Sequence, residues 1–131
     1  MIFLDTSAIY AWADTADANH ETAVRRLQRI LEADEILLTH NYVLVEAMAL
    51  LHARLGFGAA TKLSKDATTF RVEWVDSDLH TAGVQELSRS RKRRVSLVDH
   101  ISFLVMRRRH LRTAFAFDTD FVAGGFKLFE N

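Results

Sequence analysis

The chain opens on an apolar run, Ile2-Phe3-Leu4, that has no helical face and is closed at once by Asp5-Thr6-Ser7. A short apolar run ended by polar residues reads as a strand buried on both faces, as in a parallel sheet. Ala8–Ala13 predicts a short helix, and Asp14–Asn19 has loop composition. His20–Glu32 then carries Ala23, Val24, Leu27, Ile30 and Leu31 at helical spacing. Glu35–His40 holds a second apolar run, Ile36-Leu37-Leu38, and Asn41 is the expected N-cap of a helix running to about Arg54. Gly56 and Gly58 interrupt that helix, and Ala59–Thr68 predicts another short one. In Phe70–Val75, Phe70, Val72 and Trp74 alternate with Arg71, Glu73 and Val75, the period of a half-covered edge strand. Asp76-Ser77-Asp78 offers caps for a helix over Leu79–Ser88, and Ser90–Arg94 is a basic loop. Val98–Arg109 reads as a largely apolar helix, Ala114–Phe117 as a buried strand, and Phe126–Phe129 as a short last strand after Gly124-Gly125.

Strands alternating with helices imply a three-layer α/β/α domain around a parallel sheet of four to five strands. At 131 residues, with no repeat or linker, residues 1–131 are expected to form one domain. No apolar stretch reaches the roughly 18 residues of a membrane span. The first residues lack a basic start and a small-residue cleavage site, so a cytoplasmic protein is expected. The absence of cysteine excludes disulfides, thiolate metal sites and thiol nucleophiles. Net charge is zero, yet nine of the 17 basic residues lie between Arg89 and Arg112, where Asp99 is the only acid. Such a local potential admits a polyanionic partner despite the overall balance.

Four acids stand in apolar surroundings. Asp5 follows the first strand, Glu46 is the only charged residue between Asn41 and Leu51, Asp99 lies within Leu97–Val105, and Asp118 follows Ala114–Phe117. Each has a plain structural explanation. Asp5 caps a helix, Asp99 completes a capping box with Ser96, and Asp118 and Asp120 brace a turn. Glu46 fits such an explanation least, because its helix leaves it little water. Burying an isolated carboxylate costs several kcal/mol, so buried acids survive when paired, protonated or bound to metal. In a parallel sheet, strand ends and helix starts share one edge, and all four acids belong there. Oxygen ligands without Cys or a His pair suit Mg²⁺ or Mn²⁺. One or two such ions would clamp a phosphodiester and activate water.

Asp5-Thr6-Ser7 after an N-terminal strand, Glu46 on the second long helix, Ser96-Leu97-Val98-Asp99 and Phe117-Asp118-Thr119-Asp120-Phe121 together resemble a PIN-domain ribonuclease. The resemblance covers essentially the whole chain, and the small size is similar to VapC-like toxins of toxin–antitoxin pairs. It implies a Mg²⁺-dependent endoribonuclease with Asp5, Glu46, Asp99 and Asp118 as its catalytic and metal-binding acids. Thr6, Ser7, Asn41 and Asp120 match auxiliary positions. Ala116 departs from the pattern, because relatives often place Thr or Ser there to make a supporting hydrogen bond. The family also implies a homodimer, a small antitoxin protein partner, and an RNA loop as substrate. The helix around Asp99 and the Ala116-Phe117-Asp118 ending resemble members that cut the ribosomal sarcin–ricin loop; others cut tRNA. Both present splayed bases in a structured loop.

Arg91-Lys92-Arg93-Arg94, just before the Asp99 helix, is expected at the metal edge as an RNA contact. Arg107, Arg108, Arg109 and Arg112 sit at the far end of that helix, where they suit its dipole. His100 neighbours Asp99 but points about 100° away, which suits packing better than proton transfer. The remaining histidines show no metal spacing, and Trp12 and Trp74 are expected in the core or an interface. Two other classes compete with the nuclease: a non-catalytic PIN-like binding module, and a phosphotransfer receiver domain. The four intact acids argue against the first. The lack of adjacent acids after the first strand and of a late sheet Lys argues against the second.

Overall fold

The computed structural model describes Met1–Asn131. Its central strand, β1 (Ile2–Leu4), is buried along its whole length. It lies between β2 (Leu37–His40) and β4 (Thr113–Phe115), parallel to both. Beyond them lie β3 (Arg71–Glu73) and β5 (Lys127–Leu128), giving an all-parallel sheet in the order β3-β2-β1-β4-β5. The chain winds outward from β1 to β3, then returns to β4 on the other side of β1. The order therefore reverses between β1 and β4, and their carboxyl ends flank the crevice where open α/β sheets bind ligands.

The helices are α1 (Thr6–Ala13), α2 (His20–Glu32), α3 (Asn41–Leu55), α4 (Phe57–Asp66), α5 (Ser77–Ser90), α6 (Leu97–Arg108) and α7 (Asp120–Ala123). Side chains alternate across the sheet, so Leu4 and its neighbour Phe115 face one layer while Phe3 faces the other. On the first side Phe115 meets Trp12 of α1 and Phe129. On the second, Phe3 meets His40 and Phe121, and Phe121 packs edge-on against Phe103 of α6. Helices thus cover both faces of a five-stranded parallel sheet, as the alternation of elements implied.

Two glycines shape the helices. Gly56 ends α3 at φ +96°, bonding its N–H back to Leu51 and His52. Gly83 brings α5 against α6: a Cβ there would lie 2.4 Å from Ile101 Cδ1.

Several local expectations differ from the structure. The N-cap of α3 is His40, whose Nδ1 accepts from Val43 N at 3.3 Å, and Asn41 is the first helical residue. The alternating pattern of Phe70–Val75 yields only three paired residues, so Trp74 falls beyond the strand and is 72% exposed rather than in the core. Strand β4 stops at Phe115, two residues early, because Ala116 and Phe117 leave the ladder toward the crevice. The one-turn α7 is too short to show a periodic pattern. At the far end of α6, Arg109 pairs with Glu73 of β3 at 2.6 Å. Arg107 lies over the Phe126 ring. Both serve the packing at that end.

Candidate active site

Asp5 leaves β1 and caps α1, its Oδ2 accepting from Ser7 N at 3.1 Å and Ser7 Oγ at 2.6 Å. Asp99 closes a capping box at the start of α6, its Oδ2 accepting from Ser96 N and Oγ at 3.0 and 3.1 Å. Asp118 follows β4 and accepts from Asp120 N through Oδ1 at 2.9 Å. Each of these acids is pinned by its own chain through one oxygen, and the other oxygen has no protein partner. Glu46 projects from α3, nearly two turns beyond the His40 cap. All four line a single open cavity of about 380 Å³ at the crevice between β1 and β4.

The cavity also takes in Thr6, Ser7, Tyr10, Asp17, Asn19, Leu50, Arg54, Arg94, Ser96 and Phe117. Ser7 has a second task beyond Asp5: its Oγ accepts from Phe117 N at 2.9 Å, tying the end of β1 to the end of β4. Ala116 is fully buried and has no polar side chain to make such a bond. Thr6 Oγ1 is buried without a hydrogen-bond partner.

Burial dominates the electrostatics. Asp5 is 4% exposed, and its carboxyl is pushed up from 3.8 to about 6, chiefly by desolvation. The Ser7 bonds oppose that shift, and the charges of Asp99 and Asp118 add to it. Asp99 is likewise raised, first by burial and then by the charges of Asp118 and Glu46. The four acids therefore form one coupled electrostatic group. No three of them converge to ligating distance as they stand. Free carboxylate oxygens, three of them on aspartates anchored by their own chain, with no thiolate or imidazole among them, are the donor set of a hard divalent cation.

The other expected site residues divide. Arg94 lines the cavity and pairs with Asp120 at 3.5 Å. Lys92 and Asp120 line an adjoining pocket of about 230 Å³. Arg91 caps α5 in a left-handed conformation, and Arg93 is exposed without lining either pocket. Asn41 is not in the cavity at all. Its Oδ1 accepts from Val75 N at 2.6 Å, which ties the start of α3 to the chain leaving β3. Arg54 and Tyr10 were not anticipated. A signal existed for Arg54, because positions 46, 50 and 54 fall on one face of α3.

A family model for the PIN domain matches residues 2–127. The chain belongs to the PIN-domain family. Within it, the chain is 40% identical over 128 residues to the 23S rRNA-specific endonuclease VapC20 of Mycobacterium tuberculosis, spanning 96% of this chain and 95% of that one. The crystal structure of that protein, described as a sarcin–ricin loop cleaving toxin, superposes with a TM-score of 0.88 at 38% identity and covers 100% of both chains. FitAcB from Neisseria gonorrhoeae matches at a TM-score of 0.69 and 19% identity, over 99% of this chain and 97% of that one. At that identity the second match speaks for the PIN fold alone.

Proposed function

We propose that this PIN domain is a Mg²⁺- or Mn²⁺-dependent endoribonuclease, the toxin of a toxin–antitoxin pair, whose substrate is the sarcin–ricin loop of 23S rRNA. The observation that carries the reading is the coupled set of four carboxylates, delivered by four separate elements to one cavity at the sheet's switch point. The substrate follows from the likeness to a 23S rRNA-specific endonuclease over nearly the whole chain. Asp5, Glu46, Asp99 and Asp118 hold one or two ions. Bound there, a divalent cation supplies charge neutralisation for the phosphodiester and a nucleophilic water at neutral pH.

The chain's own groups position the reaction. Ser7 fixes the Asp5 carboxylate and, through Phe117 N, the spacing of the two strand ends that bear Asp5 and Asp118. The capping box holds Asp99 in one rotamer. Arg94, restrained by Asp120, offers a cation to a phosphate entering the cavity. Arg91, Lys92 and Arg93 add to the positive potential on that approach. A ribosomal substrate supports a cytoplasmic location. No helix is long and apolar enough to cross a membrane. Exposed Val45, Phe57 and Trp74, and an apolar groove lined by Leu27, Leu31, Ile36 and Phe70, give a second copy and an antitoxin surface to cover.

Primer extension on purified ribosomes incubated with the protein and Mg²⁺ or Mn²⁺ tests the proposal. One new 5′ end within the loop is expected, lost with chelator and with Glu46→Gln. Intact 23S rRNA beside cleaved tRNA would move the substrate. Intact RNA of both kinds would leave a binding module.

A further inference from the structure

The acidic cavity has one unexplained end. Arg54 sits on α3 two turns beyond Glu46, about 12 Å along the helix axis. Its guanidinium lies over the ring of Tyr10, 5.1 Å from the centroid, and both side chains line the cavity. The Tyr10 hydroxyl donates to Asp14 Oδ2 at 2.7 Å, and Asp14 Oδ1 accepts from Ala16 N at 2.9 Å. Tyr10 is therefore fixed at both ends, by its helix and by a braced carboxylate. Arg54 takes part in none of the molecule's five ion pairs. The guanidinium is held by the Tyr10 side chain, while the residue as a whole is exposed.

An exposed guanidinium held against a fixed aromatic side chain on the cavity wall offers a planar face to an unstacked base and N–H groups to that nucleotide's phosphate. We propose that Tyr10 and Arg54 form a nucleotide subsite at the far end of the cavity, which receives a splayed base flanking the scissile phosphodiester. The base stacks on Arg54, and Tyr10 serves as the positioning residue beneath it. The subsite rests on the ribonuclease reading above, and it adds a determinant of which loop nucleotides the cleavage centre accepts.

Steady-state cleavage of a stem–loop RNA carrying the sarcin–ricin sequence, intact or with a single abasic nucleotide moved through the loop, tests this. Arg54→Ala should raise KM about tenfold with kcat nearly kept, the scale of one lost stacking contact. In the wild type one flanking abasic position should raise KM by a similar factor, and in Arg54→Ala that position should have no further effect. Arg54→Lys should keep the salt dependence of KM but lose the sensitivity to the base, whereas Arg54→Ala should flatten the salt slope by about 0.7. An unchanged KM in Arg54→Ala, or equal abasic effects in variant and wild type, would overturn the subsite and leave the nuclease standing. A wild type that leaves every RNA intact overturns both. Arg54 is exposed, and a melting curve matching the wild type shows that its variants fold.

Discussion

Ser7 does more at the residue scale than any other side chain beside the acids. One hydroxyl donates to Asp5 and accepts from Phe117 N, so it orients a candidate ligand and couples β1 to β4. Ser7→Ala removes both bonds and leaves the Phe117 amide unpartnered in a half-buried place. A loss of about 1–3 kcal/mol in stability is expected. Cleavage should fall about 10- to 100-fold, the usual effect of freeing a ligand's support. Denaturant melts and initial rates read the two effects separately, and unaltered cleavage would show that Asp5 needs no such support. The hydroxyls after Asp5 were legible in the sequence as supports. Which of the two makes the bonds was not, since Thr6 and Ser7 differ only in where the helix turns them.

Elements were legible where their pattern was long. The reading of α2 coincides with the structure residue for residue, because five apolar positions repeat over 13 residues. What escaped were features set by tertiary contacts. His40 is an unusual N-cap, outside the residue types that mark helix starts. It serves because burial keeps it neutral and Nε2 reaches Ser102 Oγ at 2.8 Å. Ser102 Oγ in turn donates to Val98 O at 2.9 Å, so it accepts from His40 Nε2–H, leaving Nδ1 for Val43 N. That chain of bonds joins α3, which carries Glu46, to α6, which carries Asp99. The contact of α5 with α6 through Gly83 was equally invisible. Gly83→Ala gains about 1 kcal/mol in helix propensity. The new methyl, however, lies 3.0 Å from Ile101 Cγ1, and Ile101 is fully buried with nowhere to turn. Overpacking of this kind costs about 1–3 kcal/mol. A net loss of stability and a slower nuclease, from a displaced α6, are expected. A variant more stable than wild type in urea would show that the interface is slack.

At the scale of the whole molecule, the acids that suit the cavity for cations also weaken the metal-free fold. Asp5 carries a folded pKa of about 6 against 3.8 unfolded. Protonation favours the folded state, so its contribution is complete below pH 3.8 and lost as pH rises through 6. At pH 7 that amounts to a penalty of about 2–3 kcal/mol. His40 acts in the opposite sense. Its folded pKa is lowered by burial to about 3 from 6.5, so the stability of the neutral ring is present above pH 6.5 and drains away as pH falls toward 3. Between pH 7 and 5 the Asp5 gain is about 1 kcal/mol and the His40 loss about 2. Asp99, raised by burial as well, adds to the Asp5 gain, so the metal-free protein should vary little in stability over that range. The two contributions separate in Asp5→Asn, which removes the charge while keeping an acceptor for Ser7. That variant should be inactive yet more stable than wild type at pH 7 in chelator, by about 2–3 kcal/mol. The gap should narrow by about 1 kcal/mol at pH 5, because His40 titrates in both proteins and cancels. Added Mg²⁺ or Mn²⁺ at pH 7 should raise the melting temperature of wild type more than that of the variant. A gap that stayed constant with pH would mean that the Asp5 carboxylate is solvated in the free protein. The apolar frame around β1 and β4 would then play no part in holding it ready for a cation.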